Sequence, residues 1–168
     1  PLKIRDAFDR LIPDPNGDGV AHADVVIEAI FENVEAKHAL FKSLEPRMKP
    51  GAVLATNTSS LKLEDLRTVL SKPERLVGIH FFNPVAMMPL VEVVEADGAD
   101  PAVVQGACAF VKQIDKLPLP VKSEPGFLVN AVLAPYMLAA MRAVDEGISP
   151  ETVDEAMLAF GMPMGPIE

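Results

Sequence analysis

His80 and Glu92 are the residues best suited to acid–base chemistry in this sequence. His80 stands near the end of an apolar run, residues 76–82, and Glu92 lies inside the next run, residues 90–94. A carboxylate among apolar residues is costly unless it is paired, so we expect Glu92 to contact the histidine. Such a carboxylate would hold the imidazole in one tautomer and stabilise its protonated form, as a general base requires. A purely structural pair is the alternative that these residues leave open.

Other polar side chains stand near predicted strand ends or at a helix start. Ser59, Asn83 and Asn130 can donate or accept hydrogen bonds there, although residues of these types more often cap helices or close turns. Glu32 and Lys37 flank the start of a helix that follows the first predicted strand, and a solvated charge pair is the simpler interpretation of them.

A metal site is not expected. Asp14, Asn16, Asp18 and Gly19 occupy the first, third, fifth and sixth positions of a calcium-binding loop, but the twelfth position is Val25 and not glutamate. A turn built from glycine, asparagine and aspartate is therefore the preferred interpretation.

Composition excludes several classes of protein. The 168 residues carry 24 acidic and 15 basic side chains, a net charge of −9, which disfavours binding to a nucleic-acid backbone. A single cysteine excludes an intrachain disulfide framework and a cysteine-rich zinc site. No apolar run approaches the roughly 18 residues that a membrane span requires. The chain begins with Pro1 and carries no signal peptide, so we expect a piece of a longer, non-secreted protein.

The apolar spacing predicts alternating strands and helices as far as about Lys122. The predicted strands lie at residues 24–30, 53–56, 76–82, 90–94 and 117–121, and the predicted helices at residues 37–48, 63–70 and 104–111. This order predicts a parallel or mixed sheet covered by helices. The last strand should be an edge, because Pro118 and Pro120 cannot donate to a neighbour. Two further helices, at residues 127–146 and 150–160, predict an all-α segment.

Five sequence strings point to a family. They are VIEAIFEN at 26–33, TNTSSL at 56–61, HFFNPV at 80–85, PGFLVN at 125–130 and MPMGP at 162–166. With these strings in this order, the chain resembles the 3-hydroxyacyl-CoA dehydrogenase family of fatty-acid β-oxidation from about Arg10 onward. Residues 161–168 look most like the dehydrogenase part of the multifunctional enzyme of that pathway.

The resemblance implies an α/β fold in two parts. Residues 1–122 would be the C-terminal part of a Rossmann-like NAD-binding domain without its first βαβ unit, and residues 123–168 the start of an all-α dimerisation domain. It implies NAD as cofactor, an acyl-CoA substrate, a homodimer and a place in a multienzyme β-oxidation complex. It also implies the cytoplasm of a bacterium or the matrix of mitochondria or peroxisomes.

The resemblance also implies roles for single residues. His80 matches the family's catalytic base and Glu92 its partner. Ser59 and Asn130 match the side chains that hold the 3-oxygen of the substrate. Oxidation of a 3-hydroxyacyl thioester needs such a base for the hydroxyl proton and a hydride acceptor at the carbon.

Three further positions match residues around the cofactor, and a fourth matches a supporting position. Glu32, Lys37 and Asn57 match positions near the nicotinamide half of NAD, and Asn83 matches a motif position that supports the site. The Gly-x-Gly-x-x-Gly turn that cradles the pyrophosphate of a dinucleotide does not occur in these 168 residues. We therefore expect the chain on its own to bind NAD weakly and to be inactive.

Two alternatives to this 3-hydroxyacyl-CoA dehydrogenase follow from the same resemblance. One is a related dehydrogenase for short 3-hydroxybutyryl-CoA substrates, and the other is a crystallin-like structural protein without activity. The presence of His80, Glu92, Ser59 and Asn130 together favours an enzyme, because a structural descendant has no need to keep all four.

Overall fold

The computed structural model describes residues 2–167, with the side chains of residues 5–167. The strands are β1 (Val25–Glu28), β2 (Val53–Thr56), β3 (Leu76–Phe81), β4 (Leu90–Glu95) and β5 (Leu117–Lys122). The α-helices are α1 (Leu2–Phe8), α2 (Val34–Leu44), α3 (Leu63–Leu66), α4 (Pro101–Gln113), α5 (Phe127–Asp145) and α6 (Pro150–Phe160). Each strand predicted from the sequence is present, and so are the two helices beyond Lys122.

The five strands form one mixed sheet in chain order. The pairs β1–β2 and β2–β3 are parallel, β3–β4 is antiparallel, and β4–β5 is parallel. The prediction of a parallel or mixed sheet is confirmed. Strand β5 lies at the edge, as Pro118 and Pro120 predict, and these prolines stand opposite Val91 and Val93 of β4.

Helices cover both faces of this sheet. On one face, α4 packs through Ala107 and Val111 against the buried residues Val53, Ala55, Val77, Ile79, Val91 and Val93. On the other face, Phe41 of α2 and Leu63 and Leu66 of α3 pack against Leu54, Leu76 and Val94. Each strand sends alternate side chains to opposite faces, so the two cores share the same strands.

The second face is apolar at one end and polar at the other. Val26, Leu54, Leu76 and Val94 belong to its apolar core. Two residues beyond Val26 and Leu54 stand Glu28 and Thr56, which pair in the register of β1 and β2. By the same period of two, His80 and Glu92 share this face, where they stand opposite each other on β3 and β4. All four of these polar side chains are buried, so they need partners inside the protein.

Gly78 of β3 lies between the two polar pairs, opposite Thr56 of β2 and two residues before His80. A Cβ atom at this position would lie 2.6 Å from the Cβ of Val94, which stands directly opposite on β4. Only glycine fits this gap, so the sheet can close between Thr56 on one side and Val94 on the other.

The start of α5 depends on two left-handed residues in succession. Gly126 has φ 78° and Phe127 has φ 50°, and the side chain of Phe127 is buried in the core beside α2 and α3.

Helix α6 begins where the Ser149 hydroxyl accepts the Thr152 N–H at 3.2 Å, and it ends at Gly161 with φ 113°. These are the start and the end that the sequence predicts.

Helix α5 is 19 residues long and, by length and composition alone, apolar enough to cross a membrane. The expectation that no apolar run approaches this length is therefore wrong, because the mean hydropathy of the helix stays high although Asn130 and Arg142 interrupt it. Many of its large apolar side chains are exposed in this chain: Leu128, Val132, Leu133, Met137, Leu138 and Met141. A core helix of a soluble protein passes the same test of length and composition.

The loop around Asp14 is a turn. The Asp14 carboxylate accepts the N–H groups of Gly19 at 2.6 Å and of Asp18 at 3.0 Å, which lower its pKa. The guanidinium of Arg47 donates to the Asn16 carbonyl at 2.9 Å. Within residues 5–167, no group of three or more histidine, cysteine, aspartate or glutamate side chains has the arrangement of a metal site.

Candidate active site

His80 and Glu92 form a buried hydrogen-bonded pair across adjacent strands. They stand directly opposite in the register of β3 and β4, and Nδ1 of His80 lies 2.8 Å from Oε2 of Glu92. His80 is 6% exposed and Glu92 is 0% exposed. With Nδ1–H donated to the carboxylate, Nε2 carries the lone pair that can accept a proton. The predicted hydrogen bond is confirmed.

The second oxygen of Glu92 holds the start of helix α5. Oε1 accepts the N–H of Leu128 at 2.9 Å and the N–H of Val129 at 2.8 Å. N–H groups in the first turn of a helix lack partners within the helix, and the helix dipole favours a negative charge there. Glu92 therefore joins the imidazole to the same helical turn that carries Asn130, whose side chain is exposed.

Two aromatic rings surround the imidazole. The ring centroids of Phe82 and Phe127 lie 4.7 Å and 5.6 Å from that of His80, at interplanar angles of 61° and 62°. Such edge-to-face contacts limit the rotation of the imidazole. The ring is thus fixed by one hydrogen bond and two aromatic neighbours.

A second buried cluster surrounds Glu28 on the neighbouring strands. Its Oε1 accepts the N–H of Ile30 at 2.6 Å and the ammonium of Lys37 at 2.7 Å. Its Oε2 accepts the hydroxyl of Thr56 at 2.7 Å. Lys37 is 1% exposed, so the interpretation of Glu32 and Lys37 as a solvated charge pair is wrong for the lysine. The buried carboxylate of Glu28 is the reason that Lys37 can be buried.

Glu32 links this cluster to the loop after β2. Its Oε1 accepts the Thr58 hydroxyl and the Ser59 N–H, each at 2.7 Å, and its Oε2 lies 3.3 Å from the Lys37 ammonium. Partial burial opposes the ionisation of Glu32, but these hydrogen bonds and the charge of Lys37 outweigh it and lower its pKa. Its side chain is 37% exposed, which leaves it open to a bound molecule.

The asparagines at strand ends have different surroundings. Asn57 accepts the Phe81 N–H at 3.0 Å, so it ties the loop after β2 to the residue that follows His80. Asn83 is exposed in the turn after β3. The structure thus brings Glu92 to His80, and Lys37 and Ser59 to Glu32. Among the described residues, no hydrogen bond joins His80 to Ser59, Asn83 or Asn130.

Family models match nearly the whole chain. Residues 2–124 match the NAD binding domain of 3-hydroxyacyl-CoA dehydrogenase, and residues 126–168 match the C-terminal domain of the same enzyme. The chain belongs to the 3-hydroxyacyl-CoA dehydrogenase family. The resemblance noted in the sequence is confirmed, and so is the fold class, a Rossmann-like α/β domain followed by a helical one.

Curated relatives share about two fifths of the sequence. The fatty acid oxidation complex subunit alpha of Ectopseudomonas oleovorans is 40% identical over 166 residues, which are 99% of this chain and 23% of that protein. The subunit of the same name from a Psychrobacter species is 41% identical, with the same coverage of both proteins. The chain thus spans about a quarter of the length of these relatives.

Solved structures of dehydrogenases share the fold. The 3-hydroxybutyryl-CoA dehydrogenase of Escherichia coli is 40% identical with a TM-score of 0.92, and the match covers 98% of this chain and 35% of that one. The (S)-3-hydroxybutyryl-CoA dehydrogenase of Ralstonia eutropha is 35% identical with a TM-score of 0.91, and it is matched over 98% of this chain and 59% of its own.

Sequence reasoning missed two residues of this family member, Glu28 and Thr56. Both are polar residues that end apolar strands and alternate onto the face of His80. A buried carboxylate in an apolar strand is the signal that led to Glu92, and it applies to Glu28 as well. The alternation of side chains along each strand predicts the sheet face that Glu28 and Thr56 share with their apolar neighbours. Their direct pairing, by contrast, depends on the strand register.

Proposed function

We propose that the protein that carries this chain oxidises (3S)-3-hydroxyacyl-CoA to 3-ketoacyl-CoA, with NAD as the hydride acceptor, in fatty-acid β-oxidation. The observation that carries the proposal is the buried 2.8 Å hydrogen bond between His80 and Glu92, set in the strand register. Support also comes from relatives named fatty acid oxidation complex subunit alpha and 3-hydroxybutyryl-CoA dehydrogenase. These bacterial relatives favour a cytoplasmic reaction.

His80 acts as the general base of this reaction. Its Nε2 accepts the proton of the substrate's 3-hydroxyl group as the hydride leaves carbon 3, which bears that hydroxyl group. The Glu92 carboxylate stabilises the imidazolium that forms, and its hydrogen bond holds the imidazole in the tautomer that leaves Nε2 unprotonated beforehand. Burial strengthens this electrostatic stabilisation, because little water screens the pair.

Ser59 and Asn130 hold the oxygen that becomes the ketone. The Ser59 hydroxyl and the Asn130 amide can donate hydrogen bonds to an oxygen that gains negative charge in the transition state. Ser59 follows β2 and is held by Glu32, and Asn130 lies in the turn of α5 that Glu92 holds. Glu92 thus aligns the base and the helical turn of Asn130 with one side chain.

The residues near β1 fit the nicotinamide half of NAD. The partly exposed Glu32 carboxylate can accept hydrogen bonds from ribose hydroxyls. The buried Lys37 ammonium pairs with that carboxylate. The side-chain oxygen of Asn57 accepts the Phe81 N–H, so the NH₂ group is the part of this side chain that could donate to NAD. NAD supplies the hydride acceptor when it is bound. Because no glycine turn for the pyrophosphate occurs in the 168 residues, we expect weak NAD binding by this chain alone.

The domain division and the partners belong to the same proposal. We place the end of the NAD-binding domain near Lys122, where the last strand ends, and assign residues 123–168 to the helical domain. The exposed apolar side chains of α5 suit a homodimer, as the family resemblance implies. Membership of a multienzyme complex is supported by the name of the curated relatives.

A short-chain enzyme is the second candidate for the function. Two of the solved structures that share this fold are 3-hydroxybutyryl-CoA dehydrogenases. Chain-length preference separates this candidate from a dehydrogenase that also accepts longer acyl chains, because the chemistry at the 3-hydroxyl group is the same. A crystallin-like structural role would leave the buried His80–Glu92 pair without a task.

The test measures NAD reduction by the full-length protein that carries this chain. The substrates are (3S)-3-hydroxyacyl-CoA thioesters of four to sixteen carbons, and the control is the matching acyl-CoA without the 3-hydroxyl group. We expect NADH to form with the hydroxylated thioesters alone. A preference for the four-carbon substrate would favour the short-chain enzyme, and no NADH formation with any thioester would refute the proposal.

A further inference from the structure

Glu28 is a buried carboxylate for which the chemistry described above has no task. It lies on the same sheet face as His80, two strands away. We infer that Glu28 is a positioning residue that fixes the Ser59 turn through Lys37, Glu32 and Thr56. This inference rests on the proposed function for the role of Ser59, and on the structure for the network itself.

Glu28 has no access to a substrate. It is 2% exposed, and both of its oxygens are engaged by groups of this chain: Ile30 and Lys37 at Oε1, and Thr56 at Oε2. These three donors come from the loop after β1, from helix α2 and from the end of β2. Any effect of Glu28 on the reaction must therefore pass through these partners.

The first route from Glu28 to Ser59 runs through two charged side chains. The Lys37 ammonium lies 2.7 Å from Glu28 Oε1 and 3.3 Å from Glu32 Oε2, so it holds the second carboxylate against the first. Glu32 Oε1 in turn accepts the Ser59 N–H at 2.7 Å. Hydrogen bonds to charged groups are stronger than neutral ones, so this series of contacts should hold the Ser59 backbone firmly in place.

The second route runs through the hydroxyl of Thr56. That hydroxyl donates to Glu28 Oε2 at 2.7 Å and accepts the Thr58 N–H at 3.3 Å. The Thr58 hydroxyl then donates to Glu32 Oε1 at 2.7 Å. Both routes from Glu28 therefore meet at residues 58–59, where a small shift moves the Ser59 hydroxyl.

The consequence for the reaction is geometric. Ser59 is proposed to hold the reacting oxygen, and misplacing such a group by about 1 Å can cost up to about a hundredfold in rate. A partial loosening of the Ser59 turn should therefore lower turnover by about tenfold and change substrate affinity little, because the contact matters most in the transition state.

The experiment compares Glu28→Gln with Glu45→Gln in the full-length protein. Glutamine keeps the shape of the side chain and removes its charge. Glu45 is the control, because it is likewise a carboxylate that accepts backbone N–H groups, from Ser71 at 2.8 Å and Lys72 at 2.9 Å, and it belongs to no part of the proposed site. The readouts are amide hydrogen exchange at Ser59 without NAD, and kcat and KM for a 3-hydroxyacyl-CoA.

We expect Glu28→Gln to speed exchange at Ser59 and lower kcat by about tenfold with little change in KM, and Glu45→Gln to change neither. A lower melting temperature with unchanged exchange at Ser59 and unchanged kcat would mean that Glu28 is only structural, and would overturn the inference. If Glu28→Gln does not fold, Thr56→Val replaces it, because it removes only the hydroxyl route; it should shift both readouts in the same direction by a smaller factor.

The two proposals can fail separately. If the unaltered protein forms no NADH from 3-hydroxyacyl-CoA, the proposed function is wrong, and exchange at Ser59 still decides whether Glu28 orders the turn. If the unaltered protein is active and Glu28→Gln matches it in exchange and in kcat, the positioning role is wrong and the function stands.

Discussion

Glu28 and Glu92 are two buried carboxylates on one face of the sheet, and they differ in what they bind. Each pairs with one basic side chain, and Glu28 accepts one backbone N–H group whereas Glu92 accepts two. Glu28 faces the ammonium of Lys37, a group that is ordinarily charged at neutral pH, and Glu92 faces the imidazole of His80, a type of group that changes charge near neutral pH.

The difference gives the two pairs on this sheet face different capabilities: one suits holding the structure and the other suits proton transfer. A lysine–carboxylate pair can fix geometry, whereas a histidine–carboxylate pair can fix geometry and also suits the transfer of a proton near neutral pH. The two pairs therefore predict opposite results on mutation: loss of the Glu28 charge should affect stability more, and loss of the Glu92 charge should affect turnover more.

The largest effect on stability is expected for Glu28→Gln. Breaking a buried ion pair leaves a buried charge without its partner and costs about 3 kcal/mol, the lower end of the usual range, because Glu32 still lies 3.3 Å from the Lys37 ammonium. Urea unfolding of the variant and the unaltered protein measures this difference. A loss well below 1 kcal/mol would show that Lys37 does not depend on Glu28.

Glu92→Gln should affect turnover more than stability. The glutamine oxygen can still accept the N–H groups of Leu128 and Val129, so the free energy of unfolding should fall by only about 1 kcal/mol. Without the carboxylate, the imidazolium loses its counter-charge, and kcat should fall by roughly a hundredfold, the low end of what a positioned base contributes. Steady-state kinetics and urea unfolding on one preparation check both values. Equal turnover in Glu92→Gln and the unaltered protein would remove the distinction between the two pairs.

The smallest effect is the pH dependence that Glu32, which lies beside the Glu28–Lys37 pair, gives to the free energy of unfolding. Its lowered pKa means that it stabilises the fold fully above its ordinary value of 4.5, and that this contribution is lost as the pH falls through the lowered pKa. The advantage of the unaltered protein over Glu32→Gln should be constant between about pH 5 and pH 7, below about 1 kcal/mol because the group is partly exposed, and should shrink at lower pH. Unfolding curves over this pH range test it, and an advantage that grows in acid would contradict it.

The sequence predicted the elements and one of the two pairs. Alternation with a period of two places His80 and Glu92 on one face, and the cost of a lone buried carboxylate predicts their contact. The same alternation places Glu28 and Thr56, but the parallel register that sets them opposite each other comes from contacts between distant segments. The burial of Lys37 depends on that register, so its appearance as a surface residue in the sequence is misleading.

The most direct test of the account is NAD reduction by His80→Gln in the full-length protein, with a (3S)-3-hydroxyacyl-CoA as substrate. The matched control is His38→Gln, because His38 of α2 hydrogen-bonds the Asp65 carbonyl and the Thr68 hydroxyl and belongs to no part of the proposed site. We expect His80→Gln to lower kcat by about a thousandfold with a nearly normal KM, and His38→Gln to match the unaltered protein. Near-normal turnover in a folded His80→Gln protein would contradict the account.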